Sequence, residues 1–172
     1  RALDAGKHVL CEKPLASNAA EAERMARVAT ETGRVLVEAF HYRYHPLAAR
    51  VRELLADGVV GRLVRLDACF TAPIVPTDIR FDLALAGGAT MDLGCYPLQM
   101  LRFFPGEDPT VESASAREGP SGIDVAMEAE LAYPSGSSDF VARAPGVVVF
   151  ESAYFGDYGK RHRLFAIPAA TV

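Results

Sequence analysis

The stretch from His8 to Phe40 constrains the fold more than any other part of this chain. His8-Val-Leu-Cys11 reads as a short buried strand. Asn18, with Glu21 three residues on, makes a helix-start signature in which the two side chains satisfy free N–H groups of the first turn. Ala22, Met25, Ala26 and Ala29 follow at helical spacing, and Gly33 supplies the stop. Val35-Leu-Val-Glu-Ala-Phe40 is a second strand. Strand, helix and strand with short connections form a βαβ unit, whose strands run parallel and whose crossover is right-handed. Their C-terminal ends therefore share one edge, outside which open α/β sheets bind ligands. Cys11-Glu12-Lys13-Pro14 leaves the first strand there, and Phe40-His41-Tyr42-Arg43 leaves the second. Topology thus places Lys13 at a ligand edge; without those strands it is a solvated loop lysine.

Chemistry concentrates in a second stretch, Gly87-Gly-Ala-Thr-Met-Asp92-Leu-Gly-Cys-Tyr96-Pro97. The glycine pair ends an irregular run, and Met91, Leu98, Leu101 and Phe104 then recur at helical spacing. Residues four apart share a helix face, so Asp92 and Tyr96 are expected to point the same way. Free N–H groups and the positive dipole end favour a carboxylate or a reacting oxygen there. Pro97 should kink or restart the helix just after Tyr96. An acid and a phenol at an interrupted helix start suit proton transfer. Taken alone, a capping aspartate and a half-buried core tyrosine account for the same residues more simply.

The remaining chain fills in around these two stretches. Arg1 to Gly6 reads as the end of a helix, so the sequence is expected to be part of a longer polypeptide. Pro46 opens a helix with Leu47, Val51, Leu54 and Leu55 as its apolar stripe and Asp57-Gly58 as its stop. Leu63 to Thr71 alternates as a half-buried strand of antiparallel type, with Val64, Leu66, Ala68 and Phe70 on one face. Ala72 to Gly88 is a long loop carrying Thr77, Asp78 and Arg80. Val111 to Ala116, Asp124 to Tyr133 and Gly146 to Tyr154 read as strands, Ser137 to Ala144 alternates poorly, and Gly156 to Val172 shows no clear period.

Composition excludes several classes. A net charge of −4 gives no basic patch for nucleic acid, and no apolar run approaches a membrane span. Cys11, Cys69 and Cys95 are odd in number and lack metal spacing, so no metal site is expected and reduced thiols in a cytoplasmic protein fit best.

Three blocks, in order, resemble the glucose–fructose oxidoreductase / inositol dehydrogenase / MocA family of dinucleotide-dependent oxidoreductases. They are Ala5-Gly-Lys-His-Val-Leu-Cys-Glu-Lys-Pro14, Glu38-Ala-Phe-His-Tyr-Arg-Tyr-His-Pro46, and Asp78 to Tyr96 with its Gly-Gly and Asp-x-Gly-x-Tyr elements. The resemblance spans roughly Arg1 to Gly136 and implies an α/β plus α+β fold. Residues 1–42 would be the C-terminal part of a Rossmann-like parallel sheet, and 43–172 an α+β domain on a largely antiparallel sheet, atypical after about residue 136. The fingerprint Gly-x-Gly-x-x-Gly is absent from the sequence.

The resemblance also implies roles. Lys13 matches a lysine beside the nicotinamide and the substrate oxygen, Glu12 and Pro14 shape the same turn, and Arg43 matches an arginine near the cofactor. Asp92 matches a substrate-side carboxylate, and Tyr96 falls where many members carry histidine. Its tyrosine version resembles glucose–fructose oxidoreductase and the dihydrodiol dehydrogenases, so the implied substrates are sugars, polyols or cyclic diols, with NAD or NADP as cofactor. A homo-oligomer through the C-terminal sheet is the implied assembly. Hydride transfer at a carbinol carbon needs a group that exchanges the hydroxyl proton. A phenol's pKa of about 10 must fall by about three units to serve at neutral pH, which requires roughly 4 kcal/mol that a lysine ammonium helps to supply. Tyr96 is the expected proton relay, Lys13 its electrostatic partner and Asp92 the positioning group. Arg80 at the substrate rim, His41 and His45 are second-rank candidates, and Cys95 is a packed thiol. The competing expectations are a non-catalytic sugar or dinucleotide sensor and an inactive truncated fragment.

Overall fold

Asn18 starts the first helix as its spacing predicts. Its Oδ1 accepts from Glu21 N at 3.0 Å, while Glu21 Oε2 accepts from Ser17 N at 3.2 Å. The helix α1 (Ala19–Thr32) ends at Gly33, whose φ of 63° turns its N–H onto the carbonyls of Ala29 and Thr30. The computed structural model describes residues 1–61, 63–72, 74–75, 77–119, 122–134, 148–152 and 165–168. These fall into two units, Arg1–Tyr44 and His45–Val172.

In the first unit, α1 joins β1 (Val9–Cys11) to β2 (Leu36–Glu38), and the two strands pair in parallel with Cys11 opposite Glu38. Their C-terminal edge is tied twice, by Ala39 N on Cys11 O at 2.7 Å and by Leu15 N on Glu38 Oε1 at 2.8 Å. One expectation needs correction. β1 is not a buried strand, because alternation sends Leu10 to an open face, where it is 72% exposed. Arg1 to Gly6 forms one helical turn, closed by Gly6 at φ 74°.

The second unit opens with α2 (Pro46–Ala56) and β3 (Leu63–Phe70). Two 3₁₀ turns (Ile79–Phe81 and Leu83–Leu85) follow, and a π turn (Thr90–Gly94) then runs into α3 (Cys95–Phe103). Strands β4 (Thr110–Glu118), β5 (Asp124–Ala132), β6 (Val148–Ser152) and β7 (Phe165–Pro168) complete it. The sheet order is β4-β5-β6-β3-β7. Every neighbouring pair is antiparallel except β3 with β6, which makes the sheet largely antiparallel. The fold is thus a parallel βαβ unit followed by an α+β unit.

Three readings of this unit change. In α2 Ala48 is buried and Leu47 is 65% exposed, so Leu47 leaves the expected stripe while Val51, Leu54 and Leu55 stay half-buried on it. The buried row of the π turn and α3 is Ala89, Leu93, Pro97 and Leu101, with only Leu101 and Phe104 kept from the expected stripe. The tail read as patternless contains β7, which pairs with β3. Residues 137–144 lie outside the described residues.

Pro97 is both a breaker and a core residue. It sits in the first turn of α3, where its missing N–H leaves nothing unpaired. Upstream, Cys95 N–H bonds Thr90 O across the wider π turn, which relieves the clash between a proline ring and the carbonyl four residues back. The helix therefore changes character at Cys95, before Tyr96 rather than after it.

Candidate active site

The loop before the π turn is cross-linked to itself. Asp78 Oδ1 accepts from Arg80 N at 3.0 Å and from Arg80 Nη1 at 2.9 Å. Arg80 Nε then donates to Asp92 Oδ2 at 2.8 Å. One guanidinium thus spans two carboxylates, held by donors in a fixed plane. Arg80's hydrogen bonds hold the Asp78 carboxyl below the usual carboxylate range, and the same pair pushes the guanidinium up. The backbone reinforces the arrangement, with Gly88 N on Arg80 O and Gly87 N on Asp82 O, both at 2.9 Å. A Cβ at Gly87 would strike the carbonyl oxygens of Arg80 and Asp82, so this close approach needs glycine.

Asp92 and Tyr96 both lie beside the buried Ala89–Leu93–Pro97–Leu101 row and are half-buried. The Asp92 side chain is 14% exposed. The Tyr96 ring meets the Phe70 ring of β3 edge to face, with centroids 5.3 Å apart. Cys95 Sγ lies 3.6 Å from Asp92 O, as a weak donor inside the turn. The segment is also tied from a distance, since Asp124 Oδ2 at the start of β5 accepts from both Thr90 N and Thr90 Oγ1 at 2.6 Å. Sequence reading gave Asp124 no role, because a carboxylate opening a strand carries no local sign that it caps a helix 34 residues upstream.

Lys13 and Arg43 belong to the first unit. Lys13 follows β1 at the shared edge, half-buried, with its N–H on Glu12 Oε2 at 3.3 Å and a cis peptide bond to Pro14. Arg43 lies in a 3₁₀ turn (His41–Tyr44) just past β2. The neighbouring Tyr42 phenol is pushed well above its ordinary pKa by burial, against the Arg43 charge. His45 Nδ1 accepts from Leu47 N at 3.1 Å and so caps α2. No disulfide joins Cys11, Cys69 and Cys95. Among the described residues no helix is long and apolar enough to cross a membrane, and no three His, Cys, Asp or Glu side chains are grouped to hold a metal ion.

The first unit thus presents a βαβ edge bearing a lysine, and the second a helix start bearing an acid and a phenol beside a mixed sheet. The GFO/IDH/MocA C-terminal domain model matches residues 48–143, and the oxidoreductase-family NAD-binding Rossmann fold matches residues 1–40. The chain belongs to the Gfo/Idh/MocA oxidoreductase family. It is 40% identical over 139 residues to a D-xylose 1-dehydrogenase (NADP⁺) of Haloferax volcanii, a match covering 80% of this chain and 42% of that one. It is 38% identical over 135 residues to trans-1,2-dihydrobenzene-1,2-diol dehydrogenase of Bos taurus, covering 78% and 40%. Among solved structures, a 3-ketoreductase from Actinomadura kijaniata in complex with NADP and TDP-benzene superposes with a TM-score of 0.79 at 34% identity, covering 92% of this chain and 46% of that one. The chain therefore spans less than half the length of the relatives it matches.

Proposed function

We propose that this chain carries the reacting groups of an NAD(P)-dependent oxidoreductase acting on the CH–OH group of a sugar, polyol or cyclic diol. The observation that carries the reading is the Arg80-braced Asp92 standing one turn before Tyr96 in the π/α segment. Tyr96 exchanges the proton of the substrate oxygen. Asp92 accepts a hydrogen bond from a substrate hydroxyl, and Arg80 at the rim fixes that carboxylate. Lys13, on the edge of the first unit, keeps the part of electrostatic partner that the family resemblance implies. Tyr42 is unsuited to the same task, because burial favours its protonated form. Similarity to sugar and diol dehydrogenases supports the substrate class.

Glu12, Lys13, Pro14 and Arg43 suit the nicotinamide side of the cofactor, since they leave the parallel strands at one edge. The glycine-rich turn that holds a pyrophosphate has no counterpart in the sequence. When bound, the nicotinamide supplies the hydride acceptor or donor. A cytoplasmic location and a homo-oligomer through the second unit's sheet, whose edge strand β4 is exposed along its length, belong to the same proposal.

Tyr96→Phe tests the reading, in this chain joined at Arg1 to the glycine-rich half of a relative's dinucleotide domain. The substitution keeps the ring on Phe70 and removes the exchangeable proton, so turnover should fall at least about a hundredfold, within the usual range for general acid–base groups. Cofactor affinity and melting temperature should hold, and Tyr96→His should be milder. Wild-type turnover by the phenylalanine variant would make Tyr96 a packing residue.

A further inference from the structure

We infer that Asp124 is a positioning residue: from the start of β5 it caps the π turn at Thr90 and thereby sets where Asp92 and Tyr96 stand. The first N–H groups of any helix need acceptors, and a carboxylate there is favoured by the helix dipole as well. Nothing local supplies one, since no side chain caps the turn from its own flank. Asp124 supplies it from 34 residues away, with one oxygen on both the amide and the hydroxyl of Thr90 at 2.6 Å.

Both sides of this contact are built for it. Asp124 is itself anchored, because Ile123 before it is 1% exposed and Glu118 pairs with it across the β4–β5 ladder. Gly119 N closes that hairpin on Ile123 O at 2.8 Å. On the helix side, Gly88 has φ 125°, and a Cβ there would fall on Asp124 Oδ1. Glycine at that position leaves the space the carboxylate occupies. Thr90 begins the π turn, Asp92 follows within it, and Tyr96 lies in the next turn. A wide π turn is uncommon, and where one occurs it is frequently at a functional site. Fixing Thr90 fixes the phase from which both candidate groups project.

This inference rests on Asp92 and Tyr96 serving the reaction, and its test does not depend on turnover. The probes are amide hydrogen exchange over residues 90–96 and the ¹³C resonances of the Asp92 carboxyl and Tyr96 Cζ, in the 172-residue chain. Thr90→Val deletes the hydroxyl bond and should speed exchange about tenfold, the size expected for one lost hydrogen bond. Both resonances should move, and Thr90→Ser should restore them. Asn18→Ala, a capping loss in the other unit, is the stability control and should leave both resonances in place. Asp124→Asn keeps the shape with a weaker acceptor and should shift them in the same direction, which covers the case in which Thr90→Val does not fold. Resonances unmoved in both Thr90→Val and Asp124→Asn would overturn the inference. A Tyr96→Phe variant of normal turnover would instead overturn the catalytic reading, and the exchange and resonance data would still decide for or against the cap.

Discussion

A methyl group on Gly88 would compete with Asp124 Oδ1 for one place, and the backbone there has a φ that side chains rarely adopt. Gly88→Ala therefore carries two penalties, local strain and a displaced cap. Backbone strain of this kind costs of order 1–3 kcal/mol, so the variant should lower the urea midpoint with an unchanged slope. Gly33→Ala is the comparison: its φ of 63° is strained too, but nothing lies within 4 Å of a Cβ there. The smaller loss expected at Gly33 separates strain from collision. At this scale the sequence was legible where a residue acts on near neighbours. Asn18 caps the first turn of α1, Gly33 ends it, and Asp78 and Arg80 stand out as polar residues of the long loop, with Asp92 as the expected positioning group. The direction in which Arg80 spends its donors was not legible, because two carboxylates on either side compete for one guanidinium.

Between elements, Tyr133 joins the end of β5 to α3, with its hydroxyl on Leu101 O at 2.8 Å. Burial pushes this phenol up to about 12, with the Glu107 charge adding to the effect. The folded chain thus keeps a proton that the unfolded chain releases near about 10. Its contribution to stability is fully present below the unfolded value and is lost as pH rises through the folded one. Denaturation between pH 8 and pH 12 should show wild-type stability falling across the upper half of that range. Tyr133→Phe should start about 1 kcal/mol lower for the lost hydrogen bond and lack that component of the fall. A variant curve parallel to wild type would assign the alkaline loss to other groups. Elements were legible in the same local sense: α1, α2, β3, β4 and β5 carry their own period and stops. The π turn and the strand β7 escaped because tertiary partners set them. β7 in particular exists through its pairing with β3, and its own residues show no alternation that would reveal it.

At the scale of the molecule, the first unit offers a ligand edge, and the glycine-rich turn has no counterpart in the sequence. Dinucleotide affinity rests largely on the pyrophosphate, which is held by backbone N–H groups and a helix N-terminus at that turn. Lys13 and Arg43 remain at the edge, but charges near the surface contribute about 0–1 kcal/mol each. Two such contacts fall short of the roughly 4 kcal/mol that millimolar binding requires. Calorimetric titration of the 172-residue chain with NAD and with NADP should therefore give no saturable heat below millimolar concentration. Any residual heat should vanish at high salt, since exposed charges are screened over a few ångströms at molar ionic strength. Joining the glycine-rich half at Arg1 should bring affinity into the micromolar range, and Lys13→Ala in that joined chain should weaken catalysis more than binding. Micromolar, salt-resistant binding by the 172-residue chain alone would show that this edge holds a dinucleotide by contacts other than the pyrophosphate turn.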